Sequence, residues 1–97
     1  MRKIEDIISE LRRLRPGLSR RYPIREIGVF GSYVRGDQTE TSDVDVLVEM
    51  GPGIGILEFT GLQQDLSDAL GVKVDLVSKD ALKPRIGKRI LSEVVML

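Results

Sequence analysis

The sequence predicts a single α/β domain over residues 1–97, built on a mixed sheet of three to four strands with helices packed mainly on one face. Two observations lead to this prediction. Three short apolar runs, at 24–30, 44–49 and 72–77, have the length and residue types of β-strands. The segments between and around them carry apolar residues at helical spacing, and the chain has room for one hydrophobic core.

Composition excludes several kinds of site. The chain has no cysteine and no histidine, so thiolate metal sites, zinc-histidine sites and histidine-based triads are ruled out, and acid-base chemistry falls to carboxylates, lysine or tyrosine. Fifteen basic residues balance fifteen acidic ones, which disfavours direct nucleic-acid binding. With no apolar run long enough to cross a membrane, we expect a soluble, cytoplasmic protein with no membrane partner.

The N-terminal segment is predicted to be helical. Apolar residues recur at the i, i+3, i+4, i+7 spacing of an amphipathic helix over residues 2–14, ending at Leu14. Pro16 is then expected to interrupt this helix, with a short second helical segment from Pro16 to about Arg21. The arginines along this segment are interpreted as a solvated face, with a partner-binding or RNA-facing surface as the alternative.

The first strand is predicted over Ile24 to Phe30 and ends at a Gly31-Ser32 step. Glycine after a strand lets the backbone approach a ligand closely. Ser32 begins one short helical turn that runs to Gly36, and its hydroxyl and the neighbouring backbone N–H groups can face phosphate. Arg35 lies about one turn later. Its guanidinium suits either a phosphate or an ion pair with Asp37 or Glu40, and the residues alone leave both open.

Two aspartates mark the second strand, which is predicted over Val44 to Glu49. Side chains alternate along a strand, so Asp43 and Asp45 point to the same face. Two neighbouring carboxylates repel each other unless they are protonated, paired or bound to a cation. Oxygen ligands of this kind suit Mg²⁺ completed by water and substrate phosphates, so the sequence indicates a site for a nucleotide and a metal.

The second half of the chain is predicted to continue the same architecture. A glycine-rich stretch, 51–55, is interpreted as a flexible loop beside the cleft, and it fails the dinucleotide pattern because Ile56 replaces the last glycine. A core helix follows and ends at Gly71, with apolar residues at helical spacing from Ile56 to Leu70. Asp75 stands on the third strand, 72–77, in a row that is otherwise apolar or amphipathic.

The C-terminal segment is predicted to form a helix from about Pro84 to Ser92, with three apolar residues facing inward: Ile86, Ile90 and Leu91. The last four residues, 94–97, are expected to continue that helix or to form a short edge strand. This apolar tail is also a candidate contact for a partner protein or a second copy, so a homo- or hetero-oligomer is open.

Taken together, these motifs resemble a known family. One pattern is similar to the signature of the polymerase-beta-type nucleotidyltransferase superfamily: Gly31-Ser32, ten intervening residues, and then Asp43-Val44-Asp45. The fuller string around it resembles the minimal nucleotidyltransferase (MNT) branch: Phe30-Gly31-Ser32-Tyr33-Val34-Arg35-Gly36 with Ser42-Asp43-Val44-Asp45. The strand around Asp75 resembles the third-carboxylate strand of that branch, so the likeness covers most of the chain.

This resemblance implies a small nucleotidyltransferase fold and a magnesium-dependent enzyme. Its implied catalytic and metal residues are Asp43, Asp45 and Asp75, holding one or two Mg²⁺ ions, and its implied nucleotide-binding residues are Gly31, Ser32 and Arg35. Members of the branch act as antitoxins beside HEPN-domain ribonuclease toxins, and some transfer AMP from ATP to a toxin tyrosine. The family match therefore favours phosphate as the partner of Arg35. It also favours a toxin as the acceptor, since few residues remain in the chain to bind another acceptor.

Two rival functions remain at this stage. The chain could be an antitoxin that neutralises its toxin by binding alone, with a non-catalytic nucleotide pocket. It could also be an acidic interaction module without nucleotide, which the paired aspartates disfavour. The preferred nucleotide base is not indicated by any motif in the sequence.

Overall fold

Helices and strands alternate along the chain in the computed structural model, which describes residues 2–97. The described elements are α1 (Ile4–Arg21), β1 (Ile24–Phe30), α2 (Ser32–Arg35), β2 (Val44–Met50), α3 (Ile56–Leu70), β3 (Val74–Ser78), a 3₁₀ turn (Lys79–Ala81), α4 (Pro84–Glu93) and β4 (Val95–Met96). This order confirms the predicted α/β class and places each of the three predicted strands within two residues of its expected bounds.

The strands form one mixed sheet in the order β3-β2-β1-β4. β1 pairs antiparallel with β2 and with β4, whereas β2 and β3 run parallel. A parallel pair needs a crossover connection, and α3 supplies it. The C-terminal residues therefore form the short edge strand that the sequence allowed.

The two faces of the sheet are covered unequally. One face packs against α1 and α3 in the main core, where Val44, Val46 and Val48 of β2 are fully buried. The opposite face carries a smaller cluster in which Ile90 of α4 packs against Phe30 and Leu47. Helices thus lie mainly on one face, as predicted, and α4 covers only part of the other.

The first helix differs from its prediction. α1 runs unbroken from Ile4 to Arg21 with Pro16 inside it, so the expected interruption is wrong. Proline removes one backbone donor. Here the apolar side chains Leu11 and Leu18, on either side of Pro16, are both buried against the same core, and their burial favours one continuous helix.

The outer edge of β3 is satisfied by side chains of α3. The backbone N–H of Leu76 donates to Gln63 Oε1 at 2.9 Å, and the N–H of Val74 donates to Ser67 Oγ at 3.0 Å. Unpaired edge amides would otherwise face solvent. These two hydrogen bonds fix how β3 lies along α3, and therefore where Asp75 stands next to β2.

The C-terminal helix is packed less deeply than its apolar pattern indicated. Only Gly87 and Ile90 of α4 are buried, while Ile86 and Leu91 are 57% and 48% exposed, so their predicted inward position is wrong. Ile56, expected in the core, is likewise exposed at the start of α3. Periodicity identifies an apolar side of a helix but not how far that side sinks into the sheet. No helix among residues 2–97 combines the length and apolar character needed to cross a membrane.

Candidate active site

The sheet brings Asp43, Asp45 and Asp75 to one place. Asp45 and Asp75 are direct register partners on the parallel strands β2 and β3, so their side chains project from the same face. Asp43 precedes β2 by one residue and shares that face with Asp45. The three carboxylates predicted from the sequence therefore lie next to one another, with Asp45 in the middle.

Asp45 bears the strongest electrostatic effect in this group. Partial burial, followed by the negative charges of Asp75 and Asp43, raises the pKa of Asp45 from its usual 3.8 to about 6. The positive charge of Arg35 opposes this increase and the charge of Glu93 adds to it. The site thus disfavours a third negative charge on these side chains and favours either a proton or a cation.

The Gly31-Ser32 step lies against Asp45. Phe30 pairs with Asp45 across β1 and β2, so the chain turns into α2 directly beside the carboxylate. Gly31 has a φ of 81°, and a Cβ built on it would overlap the Asp45 carboxylate, with Cγ only 2.9 Å away. Only glycine lets the backbone approach Asp45 this closely. Tyr33, two residues after Gly31, is buried in the core.

Arg35 binds carboxylates in this structure. Its Nε lies 3.4 Å from Asp37 Oδ2, and its Nη1 lies 3.2 Å and 3.3 Å from the two oxygens of Glu93. Asp37 was one of the two ion-pair partners that the sequence allowed. The other, Glu40, is not its partner among the described residues, and Glu93 takes that place.

Glu93 is the site residue that the sequence reasoning missed. Its Oε1 accepts a hydrogen bond from the Gly31 backbone N–H at 3.1 Å, and the same oxygen forms the ion pair with Arg35. The sequence carries no local signal for this role, because the role depends on where α4 packs. Glu93 lies three residues after Ile90, which is about one helical turn, and Ile90 packs on the same sheet face as Asp45.

A hollow of about 210 Å³ lies between the Gly31 turn and α4, and Asp45 and Arg35 line it. Ile86 and the exposed Arg89 form part of its α4 wall. The glycine-rich loop 51–55 lines a different cleft, of about 600 Å³, beyond the C-terminal ends of β2 and β3. The expectation that this loop lies beside the aspartate cleft is therefore wrong.

The donor set fits a hard divalent cation. The three aspartates offer only oxygen atoms, which Mg²⁺ prefers, and a bound cation would relieve the repulsion that raises the pKa of Asp45. Their oxygens are spread apart, since no group of three acidic residues within 2–97 is gathered closely enough to hold a metal as it stands. Among the three aspartates, Asp43 forms an ion pair in the described structure, with Lys73 at 3.9 Å, and the Lys73 side chain is highly exposed.

Comparison with known proteins agrees with this geometry. A family model described as a nucleotidyltransferase domain matches residues 11–97. The chain belongs to this nucleotidyltransferase family. This nucleotidyltransferase is 47% identical to a protein adenylyltransferase, MntA, of Thermococcus cleftensis over 98% of its own length and 96% of the relative.

Two solved structures share the fold of this nucleotidyltransferase. One, a minimal nucleotidyltransferase, is 33% identical and superposes with a TM-score of 0.83 over 99% of this chain and 97% of the other. The second is a toxin-antitoxin with AMP-PNP, with 27% identity and a TM-score of 0.69 over 95% of this chain and 69% of the other. The fold and the minimal branch implied by the sequence resemblance are thereby confirmed.

Proposed function

We propose that this nucleotidyltransferase transfers AMP from ATP to a tyrosine hydroxyl of a partner HEPN-domain ribonuclease toxin in a Mg²⁺-dependent reaction, and thereby acts as an antitoxin. The observation that carries the proposal is the register pairing of Asp45 with Asp75, beside Asp43 and the close turn at Gly31. The adenylyltransferase name of the Thermococcus relative and the AMP-PNP in the toxin-antitoxin structure support AMP transfer from ATP.

The metal requirement follows from the aspartates. Asp43 and Asp45 would hold Mg²⁺ against the triphosphate, and Asp75 would complete a second ion site or act on the acceptor hydroxyl. Bound Mg²⁺ supplies neutralisation of the triphosphate charge and lowers the pKa of the attacking hydroxyl. Asp45 must be ionised to act as a ligand, and with a pKa of about 6 it is largely ionised at neutral pH.

The remaining residues bind and orient the substrates. The Gly31 backbone N–H, the Ser32 hydroxyl and the Arg35 guanidinium would hold the β- and γ-phosphates, because charge-assisted hydrogen bonds to phosphate are strong and directional. The tyrosine oxygen forms a bond to the α-phosphorus while the bond from that phosphorus to the α–β bridging oxygen breaks. Pyrophosphate leaves with the bridging oxygen, and the hydroxyl proton goes to Asp75, or to water where Asp75 is instead a ligand of the second ion.

A protein acceptor suits the size of the site. The hollow beside Asp45 has a volume of about 210 Å³. Pockets that enclose a drug-sized ligand usually measure roughly 300–1,000 Å³. The nucleotide's phosphates alone would occupy much of this hollow, so the surface that presents the acceptor hydroxyl is expected to come from another molecule. The exposed Ile86 at its rim is available for such a contact.

The test is a labelling reaction. The protein is incubated with Mg²⁺, ATP labelled in the α-phosphate, and a HEPN-domain toxin from the same genome, and the toxin is then analysed for bound label and for ribonuclease activity. Asp43→Asn and Asp45→Asn are the test variants. Asp68→Asn is the matched control, because Asp68 is an exposed aspartate on α3, on the other face of the sheet.

We expect label on a toxin tyrosine and loss of ribonuclease activity with the wild type and with Asp68→Asn, and neither with the two site variants. If the site variants silence the ribonuclease as well as the wild type does and no label appears, inhibition is by binding alone. Label that appears without Mg²⁺ would contradict the assigned role of the aspartates.

A further inference from the structure

Glu93 occupies the part of the site that faces Gly31 and Arg35. One of its oxygens accepts the Gly31 N–H at 3.1 Å, and both oxygens lie within 3.3 Å of Arg35 Nη1. The Glu93 side chain is only 19% exposed, so this is a partly desolvated contact and not a passing surface pair. A single carboxylate thus takes up one backbone donor and one guanidinium.

These two donors are the ones that the proposed function assigns to the nucleotide's phosphates. A carboxylate and a phosphate oxygen accept the same charge-assisted hydrogen bonds from N–H groups. Both cannot use the Gly31 N–H and the same face of Arg35 at once. The charge of Glu93 also adds to the repulsion felt by Asp45.

We infer that Glu93 is an internal competitor for the phosphate-binding turn, which sets the affinity for nucleotide and is displaced when the polyphosphate binds. This inference rests on the proposed function, because it names a regulator of that site. The free protein holds the Glu93 carboxylate on the turn. A polyphosphate brings more negative oxygens than one carboxylate and, with Mg²⁺, removes the repulsion at Asp45.

Displacement of Glu93 affects the C-terminal segment. Glu93 is the last residue of α4, and β4 begins two residues later at Val95. The helix packs on the sheet through Ile90, and β4 pairs with β1 at two register positions. Because these attachments are few, occupancy of the nucleotide site is coupled to the position of α4 and β4.

The experiment measures binding without chemistry. Isothermal titration calorimetry determines the dissociation constants of Mg²⁺ with AMP-PNP and of inorganic tripolyphosphate for the wild type, Glu93→Gln and Glu58→Gln. The glutamine variant keeps the shape and one acceptor oxygen but loses the charge. Glu58→Gln is the matched control, because Glu58 also accepts a glycine N–H at a helix start, that of Gly55 at 3.1 Å, away from the aspartates.

We expect Glu93→Gln to bind both ligands about tenfold more tightly than the wild type, which corresponds to a free protein whose turn is open about one-tenth of the time. Glu58→Gln should bind like the wild type. A second measurement follows hydrogen exchange over residues 84–97. AMP-PNP with Mg²⁺ should speed exchange there in the wild type, and Glu93→Gln should already exchange faster without ligand.

The outcomes separate the inference from the proposed function. If the wild type binds AMP-PNP and Glu93→Gln binds no more tightly, or more weakly, Glu93 is not a competitor and the proposed function is unaffected. If only Glu93→Gln binds, the competition is stronger than expected and the inference holds. If neither binds either ligand while circular dichroism shows both folded, the nucleotide site and its competitor are both rejected.

Discussion

Replacing Asp45 by asparagine is expected to make the protein more stable at neutral pH while removing its activity. Asp45 has a pKa raised to about 6, so the folded chain resists the negative charge that the unfolded chain accepts near pH 3.8. The stabilising contribution of Asp45 is therefore fully present below about pH 4. It is lost as the pH rises through 6, and above pH 7 the ionised side chain opposes folding.

The size of this effect can be bounded from the pKa. A shift from 3.8 to about 6 corresponds to at most ~3 kcal/mol at 1.36 kcal/mol per unit. Asp45 is partly exposed, and solvent screens part of this energy, so a gain of roughly 1–2 kcal/mol for Asp45→Asn at pH 8 is expected. In a domain of this size, such a gain raises Tm by roughly 5–10 °C.

The assay is urea unfolding at pH 4 and pH 8 in metal-free buffer. Far-ultraviolet circular dichroism is the suitable signal, because the chain contains no tryptophan. Asp80→Asn is the control, since Asp80 is exposed and forms no ion pair among residues 2–97. It should change stability little at either pH.

The gain for Asp45→Asn should be present at pH 8 and shrink at pH 4, where the carboxylate is largely protonated in the folded chain. A variant that is no more stable than the wild type at pH 8, or a gain of equal size at both pH values, would refute the electrostatic reasoning. Adding Mg²⁺ at pH 8 should stabilise the wild type more than the variant, because the ion relieves repulsion only where the charge exists.

Three further predictions concern the same site and its support. Gly31→Ala should lower the free energy of unfolding by about 2–4 kcal/mol and abolish nucleotide binding, because the added Cβ would overlap Asp45. The control is Gly53→Ala, at a glycine with a φ of 87° and open space around it, which should cost only ~1 kcal/mol. Equal losses for the two variants in urea unfolding would argue against the close contact between Gly31 and Asp45. The apparent Mg²⁺ affinity measured by calorimetry should fall as the pH is lowered from 7 to 5, because protonation of Asp45 at a pKa of about 6 removes a ligand. If the Mg²⁺ affinity does not change over that pH range, Asp45 is excluded from the metal site. Gln63→Leu should cost roughly 1–3 kcal/mol by leaving the Leu76 amide without its acceptor, and unchanged urea unfolding would show that water replaces the amide oxygen at no cost.

The sequence predicted the parts of the site that depend on local rules. Alternation along a strand places Asp43 and Asp45 on one face, and a glycine after an apolar run predicts a close turn, as found at Gly31. The position of Asp75 was harder. Its place opposite Asp45 depends on how far β3 slides along β2, which the hydrogen bond from Leu76 to Gln63 helps to fix, and no periodic pattern reports such a bond.

Features that depend on how elements pack were predicted less well. The C-terminal helix was expected to bury Ile86, but it touches the sheet through Ile90 and leaves Ile86 at the rim of the hollow. The contact of Glu93 with the Gly31 turn joins residues 62 positions apart, and only the docking of α4 brings them together. Pro16 is a case in which packing overrides a local signal. Proline favours a break in the helix, but the burial of apolar side chains before and after Pro16 keeps α1 continuous.

The bonded outer edge of β3 limits how this molecule can assemble. A strand from another chain that approached β3 would find the amides of Val74 and Leu76 already taken by Ser67 and Gln63, so the sheet resists growth in that direction. Growth by strand addition would have to start from the short, exposed β4 at the other side. Any filament or exchanged-strand dimer of this protein should therefore form through its carboxyl-terminal edge.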